Sequence, residues 1–448
     1  MTKKIIAYVL AGCMMLALAA CAGGTGSQPA PSPTGEAPPA PPAETRSARD
    51  QIYEIMERDP VRFSGIPPRE LADRSHIPKA AEQDLRGNLS IGMCMAYLGA
   101  AFFHTMHDTF RELVEAEGHS LQLQISERNI EVAGQQVDAY ISQGVDFIFM
   151  HGPAQSYTPN YRRAAEAGIP VVATSNQIAE ADGNQITLFI SNSYAAGFNV
   201  GEYTARQLYE PGKEYPVAFV LNQVGTGDTE TRGNAFTAGF LYGLAELDGN
   251  PYPSVWEAML EAYSLWDEFM SRGRLHSPEH RINYLGYGQG ETPDAPGGLK
   301  AANDLITAHG QTMEILFIES CDMYRGGADV VLRQHNIVPG QDVQLVSGGN
   351  ATRVSMEALM AGEYLAIGYN SSSMIALGAM AVLNGIFVEG DPRMNNLVAN
   401  TYLPGPVVHI DNVHEFYDPN LELAKPFPVE LITVTEYNAA MSDTAPPF

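Results

Sequence analysis

Between Leu89 and Asn384 the chain alternates: short apolar runs of strand length give way to segments whose apolar residues recur every three or four positions, and then the runs return. The first unit is Leu89-Ser-Ile-Gly-Met-Cys-Met-Ala96, a polar-aromatic break Tyr97-Leu-Gly-Ala-Ala101, and a segment with Phe103, Met106, Phe110, Leu113 and Val114 at helical spacing, stopped by Gly118. The same reading places further strands at 121–126, 145–150, 169–173, 186–191, 216–221, 281–285, 314–319, 343–346 and 364–367. It places helices at 131–142, 160–167, 195–209, 230–247, 299–309, 323–334, 354–360 and 374–384. This alternation predicts an α/β fold whose parallel sheets carry helices on both faces. Right-handed crossovers gather the strand-to-helix loops on one edge, where open α/β sheets bind their ligands. A chain of 448 residues exceeds one ordinary core, so two lobes are expected.

One interruption, 250–280, holds both tryptophans, Trp256 and Trp266, with Val255, Met259, Leu260 and Tyr263 at helical spacing. It reads as an extra amphipathic helix with its stripe in the core. At the start, Met1-Thr-Lys-Lys4 is a positive region, and 5–20 is apolar but short for a membrane span. It ends in Leu18-Ala-Ala-Cys21, which resembles a bacterial lipobox and so implies cleavage before Cys21 and a lipid on its thiol. Leu10-Ala-Gly-Cys13 fits the same pattern but leaves a very short apolar region, so Cys21 is preferred. Ala22 follows instead of Asp, which by resemblance to Gram-negative lipoproteins carries no inner-membrane retention signal. The expected order is a signal peptide over 1–20, a Pro/Gly-rich tether over 21–50, and an extension over 51–87 that packs on the first lobe or is half-disordered.

The formal net charge of −26, with six lysines in the whole chain, leaves no basic surface to displace counterions from phosphates; nucleic acid is excluded as a partner, and solubility accounts for the acidity. Outside the leader only Cys94 and Cys321 remain, which is neither a disulfide framework nor a zinc cluster. His104 and His107 share a helix face beside Asp108, but the sequence places no third metal ligand. Gly225-Thr-Gly-Asp-Thr-Glu230 fails the dinucleotide fingerprint at its last glycine, and neither a Walker loop nor a Gly-x-Ser-x-Gly elbow occurs. No cofactor, no metal and no catalysis are expected.

Five stretches carry a resemblance. Ile91-Gly-Met-Cys-Met-Ala-Tyr-Leu-Gly-Ala-Ala-Phe-Phe103 resembles the opening of type I periplasmic sugar-binding proteins, and Gly168-Ile-Pro-Val-Val172 is similar to their fourth strand. Ile190-Ser-Asn-Ser-Tyr-Ala-Ala-Gly197 resembles their first crossover, and Gly225-Thr-Gly-Asp-Thr-Glu-Thr-Arg-Gly-Asn-Ala-Phe236 their arginine-bearing loop and helix. Leu316-Phe-Ile-Glu-Ser-Cys-Asp-Met323 resembles a later strand and polar loop; the match runs from about Leu89 to about Asn412. The resemblance implies two Rossmann-like lobes, with three hinge crossings near Ser193, Asn370 and Asn400. Lobe 1 would take 88–193 and 371–400, and lobe 2 would take 194–370 and 401–436 with the 250–280 insertion. It further implies a non-enzymatic, extracytoplasmic receptor that closes on a sugar-like molecule and delivers it to an ABC importer. The leading extension and the Asp-x-x-x-Arg232-Gly pattern also resemble the autoinducer-2 receptor, which implies a second reading as a co-receptor for a membrane sensor.

A sugar offers hydroxyl edges and weakly apolar faces, so its site needs planar polar groups at the rim and rings on the faces. Phe102 and Phe103 stand where the family has a stacking ring, while Tyr97 replaces a small hydroxyl residue and Gly99-Ala100 replaces an Asn-Asn pair. His151 ends its strand beside Gly152 and so faces the crevice. Asn192 either bonds the ligand or closes the turn at the first crossing. Arg232 matches the family arginine; its neighbour Glu230, where ribose-binding proteins carry another arginine, either reaches the cleft or serves the helix start. Ser320 and Asp322 end a strand, with Asp322 either contacting ligand or capping a helix. Asn350 stands for a family aspartate and Asn370 for a family glutamine.

Overall fold

Strands covered on both faces show no alternation, and the apolar runs behave this way: 91–95 is buried throughout, as is every residue of 147–151. The computed structural model describes residues 46–69, 71, 84, 86–152, 155–174 and 184–440; the leader, Cys21 and most of the tether lie outside them. Helix α1 (Ala48–Arg58) comes first. Strand β1 (Ser90–Met95), α2 (Ala101–Ala116), β2 (Ser120–Ile125), α3 (Ile130–Gln143), β3 (Phe147–His151), α4 (Thr158–Glu166), β4 (Val171–Thr174) and β5 (Thr187–Ser191) build the first lobe. The second begins with α5 (Ser193–Leu208), β6 (Tyr215–Leu221), α6 (Gly227–Leu247), α7 (Val255–Arg272), β7 (Leu275–Ser277) and β8 (Ile282–Gln289). It continues through α8 (Ala295–His309), β9 (Ile315–Ile318), α9 (Asp329–Gln334), β10 (Gln344–Ser347), α10 (Arg353–Met360) and β11 (Tyr364–Gly368). Helix α11 (Ser372–Asn384) and β12 (Asn400–Leu403) return to the first lobe, and β13 (Val407–Val408) to the second.

The first sheet runs β12-β5-β4-β3-β1-β2 and is parallel throughout. The second runs β13-β11-β10-β9-β6-β8-β7, parallel except at its two edges. In each, the order reverses once, between β1 and β3 and between β6 and β9. Such a reversal sends neighbouring loops apart and opens a crevice beyond the strand ends. The stretch Ser372–Glu389 is long and apolar enough to cross a membrane; it is mostly buried, and α11 packs on α2 as a core helix.

Four expectations need correction. The described start of the extension, with α1, packs on the second lobe, whereas Arg86 at its far end pairs with Asp146 of the first: Ser47 Oγ caps α1 through the Asp50 N–H, and Tyr53 meets Trp256 of α7 at 5.5 Å between ring centroids. Its buried Ile52, Met56, Phe63 and Ile66 join the cluster of Trp256, Trp266 and Tyr194, because α7 offers the open apolar face there. Secondly, β12 pairs with β5, so the third crossing follows Leu403, at Pro404-Gly405-Pro406. The tail then returns to the first lobe, where Thr433 bridges Leu397 and Glu436 binds Arg393. Lastly, the helix expected over 323–334 is regular only over Asp329–Gln334, because Arg325, Gly326 and Gly327 leave helical geometry.

Candidate functional site

Both switch points carry polar or aromatic side chains at their strand ends. On the first lobe, β1 runs into Tyr97, and α2 opens with Phe102 and Phe103 after an extended Ala100 whose side chain caps nothing. Phe103 is the hub: its ring centroid lies 5.8 Å from Tyr97, 5.4 Å from Phe102 and 4.8 Å from His151 at the end of β3. Burial and then the nearby Arg128 hold the His151 imidazole down to about 3, so it is neutral at physiological pH. The Arg128 guanidinium covers the Tyr97 ring at 4.8 Å. Sequence reasoning missed this arginine. It follows β2 at the strand-end edge, in a left-handed pair with Glu127 (φ 60 and 49), a conformation uncommon for such residues.

On the second lobe the strand tips form one network around Arg232. Its Nη1 donates to Glu319 Oε1 at 2.7 Å and to the Glu319 carbonyl at 3.2 Å, and its Nη2 donates to Asn350 Oδ1 at 3.3 Å. Asn370 Nδ2 donates to the same Asn350 oxygen at 3.0 Å. Asn350 Nδ2 donates to Ser320 Oγ at 3.1 Å and to Asp322 Oδ2 at 3.2 Å. Asn350 therefore saturates its amide while holding φ 60, a region asparagine tolerates. The guanidinium lies on the Gly348-Gly349 backbone: a Cβ on Gly349 would stand 2.7 Å from Arg232 Cζ. Arg232, Ser320, Asp322, Asn350 and Asn370 are thus brought together, with Glu319 added to them. Glu319 was legible only as the last residue of its strand run.

Three positions that the sequence left open between two roles have protein partners. Asn192 closes the turn: its Oδ1 accepts from the Ala195 N–H at 2.9 Å and caps α5. Glu230 turns away from Arg232. Helical residues two positions apart are about 200° around the axis from each other, so 230 and 232 face opposite sides, while 228 and 232 share one. Accordingly Asp228 Oδ1 lies 3.9 Å from Arg232 Nη2, whereas Glu230 accepts from Gly225 N and from Trp266 Nε1, each at 3.0 Å. Asp322 accepts from Ser320 and Asn350 within a 3₁₀ turn and caps no helix. Cys94 and Cys321 are both free and buried. Among the described residues no three His, Cys, Asp or Glu side chains form a metal-holding group.

Burial raises the Glu319 carboxyl to about 7; Arg232 opposes the rise, and Asp228 and Asp322 add to it. A carboxyl raised in the folded state stabilises below its unfolded value and loses that contribution as pH climbs through the folded one. Glu319 is expected to lower the unfolding free energy between about pH 4.5 and 7, by at most about 1.4 kcal/mol per pH unit for one proton, while His151, held down in the fold, opposes it with a contribution that grows with pH up to its unfolded value of 6.5. Carboxyls held low, such as Glu436 at about 2, titrate below that window. Denaturant titrations at stepped pH measure both contributions, and the stability of the parent relative to Glu319→Gln should fall across this window.

The sequence signature described as a periplasmic binding protein domain matches residues 91–387. The chain belongs to this family. No curated protein matches the sequence. Among solved structures, an ABC transporter solute-binding protein from Mycobacterium smegmatis with bound glycerol is 17% identical, at TM-score 0.57, over 76% of this chain and 100% of that one. A galactofuranose-binding protein is 18% identical at TM-score 0.54, over 73% and 96%. The arabinose-transporter binding protein of Shewanella sp. ANA-3, bound to L-arabinofuranose, is 16% identical at TM-score 0.53, over 73% and 93%. In this periplasmic binding protein the two Rossmann-like lobes are those of the type I fold.

Proposed function

We propose that this protein captures a sugar or sugar-like polyol between its lobes, outside the inner membrane, and delivers it to an ABC importer. The observation that carries the reading is the pairing of unlike strand-end faces. One lobe presents rings around Phe103, suited to the C–H face of a sugar. The other presents Arg232, Asn350, Asn370, Ser320 and Asp322 in a network suited to hydroxyls. Tyr97, Phe102, Phe103 and His151 are assigned to the first face of the site. Similar structures named for galactofuranose and arabinofuranose support a furanose-sized guest. A lipid on Cys21 would hold the receptor at the membrane, and 22–45 would be its tether.

Native mass spectrometry of protein purified without added ligand tests the reading. A retained monosaccharide supports transport, and a furanosyl signalling molecule supports the co-receptor reading. A bound compound that is turned over overthrows both. Once the ligand is known, alanine at Phe102, Phe103 or Asn370 should each weaken binding by about 1 kcal/mol or more with cooperative melting kept. Unchanged affinity in all three places the site elsewhere.

A further inference from the structure

Arg232 reaches the cleft from the second turn of α6, so its aim depends on how that end of the helix is held. The cleft side of this end carries Asp228 and Arg232; the opposite side is gripped by the segment after α1. Thr231 Oγ1 donates to the Val61 carbonyl at 2.8 Å and accepts from the Ser64 N–H at 3.0 Å. Asn234 Nδ2 donates to the Arg62 carbonyl at 3.1 Å. The Arg62 guanidinium fills the remaining gap: Nε lies 3.5 Å from Glu230 Oε2, Nη1 donates to Asp267 of α7 at 2.8 Å, and the Tyr263 ring lies 5.1 Å away. Glu230 in turn accepts from Trp266. The same segment reaches the first crossing, where the Tyr194 N–H donates to the Ser64 carbonyl at 3.0 Å. Gly65 (φ 104) lies against Asn192 so closely that a Cβ would stand 2.2 Å from its Oδ1.

We infer that residues 60–66 are a back-plate of the binding site: they fix the start of α6 from behind, with Arg62 as the positioning residue, and thereby hold Arg232 against Glu319 and Asn350. The segment acts on Arg232 through α6. The inference rests on the cleft being the ligand site, but its test needs no ligand, so an empty cleft in mass spectrometry and a failure here are separate results.

The test compares full-length Arg62→Ala, Arg62→Lys and Thr231→Val with the parent. Thr231→Val keeps the side-chain shape and removes both hydroxyl bonds, so it reports even if Arg62→Ala folds poorly. Amide hydrogen exchange over 228–234 should quicken about tenfold in Arg62→Ala and in Thr231→Val, with Ser90–Met95 in the other lobe unchanged. Trp266 fluorescence should shift to the red in Arg62→Ala. A loosened Arg232 attracts Glu319 less, so the pH window of stability set by Glu319, on which Arg232, Asp228 and Asp322 act, should move upward. Arg62→Lys, which keeps the charge near Glu230, should restore most of the parent behaviour. Unchanged exchange over 228–234 with an unmoved pH window overturns the inference, as does loosening spread equally over both lobes.

Discussion

Replacing Arg232 with alanine is expected to cost about 3–5 kcal/mol of unfolding free energy near pH 8, and clearly less near pH 5. The guanidinium and Glu319 are both essentially inaccessible, 3% and 1% exposed at the side chain, and they meet at 2.7 Å. Removing one partner of such a pair leaves the other charge buried without compensation. Glu319 has one escape, which is to take up a proton. Its Oε2 has no partner among the described residues, and burial already favours the neutral form. At pH 5 the orphaned carboxyl is protonated in the variant and the penalty shrinks; at pH 8 protonation works against the solvent, and the penalty approaches its full size. The double replacement Arg232→Met with Glu319→Leu should recover most of the loss, because a buried pair exchanged for apolar volume is often neutral or better. Urea unfolding of the parent and the two variants at both pH values measures this. A pH-independent loss that the second replacement fails to relieve would show that Glu319 is not the charge partner that matters.

The same residues show where reading the chain succeeded and where it fell short. The alternation was legible because the strands are buried on both faces, and an uninterrupted run such as 147–151 has no other stable home. The positions of Asn350 and Asn370 beyond strand ends, and of Arg232 near the start of α6, followed from the resemblance and from the geometry of open sheets together. The direction of Glu230 was legible too. Its two-residue offset from Arg232 puts it on the opposite helix face, and the resemblance, which tracks position and not azimuth, concealed that. Other features were beyond local reasoning. Nothing within 46–66 tells which lobe it joins; Trp256, Tyr263 and Trp266 decide that from some two hundred residues away. The break at Gly326 depends on how tightly Gly327 must pass Ala295, where a Cβ would meet the Ala295 carbonyl at 2.7 Å. Arg128 escaped notice because its value lies in the ring beneath it, on a different strand-end loop.

Phe63→Ala is expected to carry an intrinsic cost of about 3–5 kcal/mol. Phe63 is fully buried, with Tyr194 and Tyr263 stacked at 5.9 and 5.7 Å. Its loss leaves a cavity between two large rings that the main chain of 61–64, hydrogen-bonded to Thr231 and Asn234, cannot close without giving up those bonds. The segment is docked on α6 and α7 and adds no strand to either sheet, so a cheaper response than global unfolding exists: 46–66 can undock as a unit. The measured cost is then capped at the docking free energy of that segment, and the damage appears locally. Native-state trypsin should therefore cut at Arg58 and Arg62 far faster in Phe63→Ala than in the parent, while the midpoint of global unfolding falls by less than the intrinsic cost. Equal cleavage rates in the two proteins would mean that the segment is held by α1 alone and that its rings carry little. Rapid cleavage with an unshifted hydrogen-exchange pattern over 228–234 would separate docking of the segment from its grip on α6, and so would leave Arg232 aimed by α5 and the sheet.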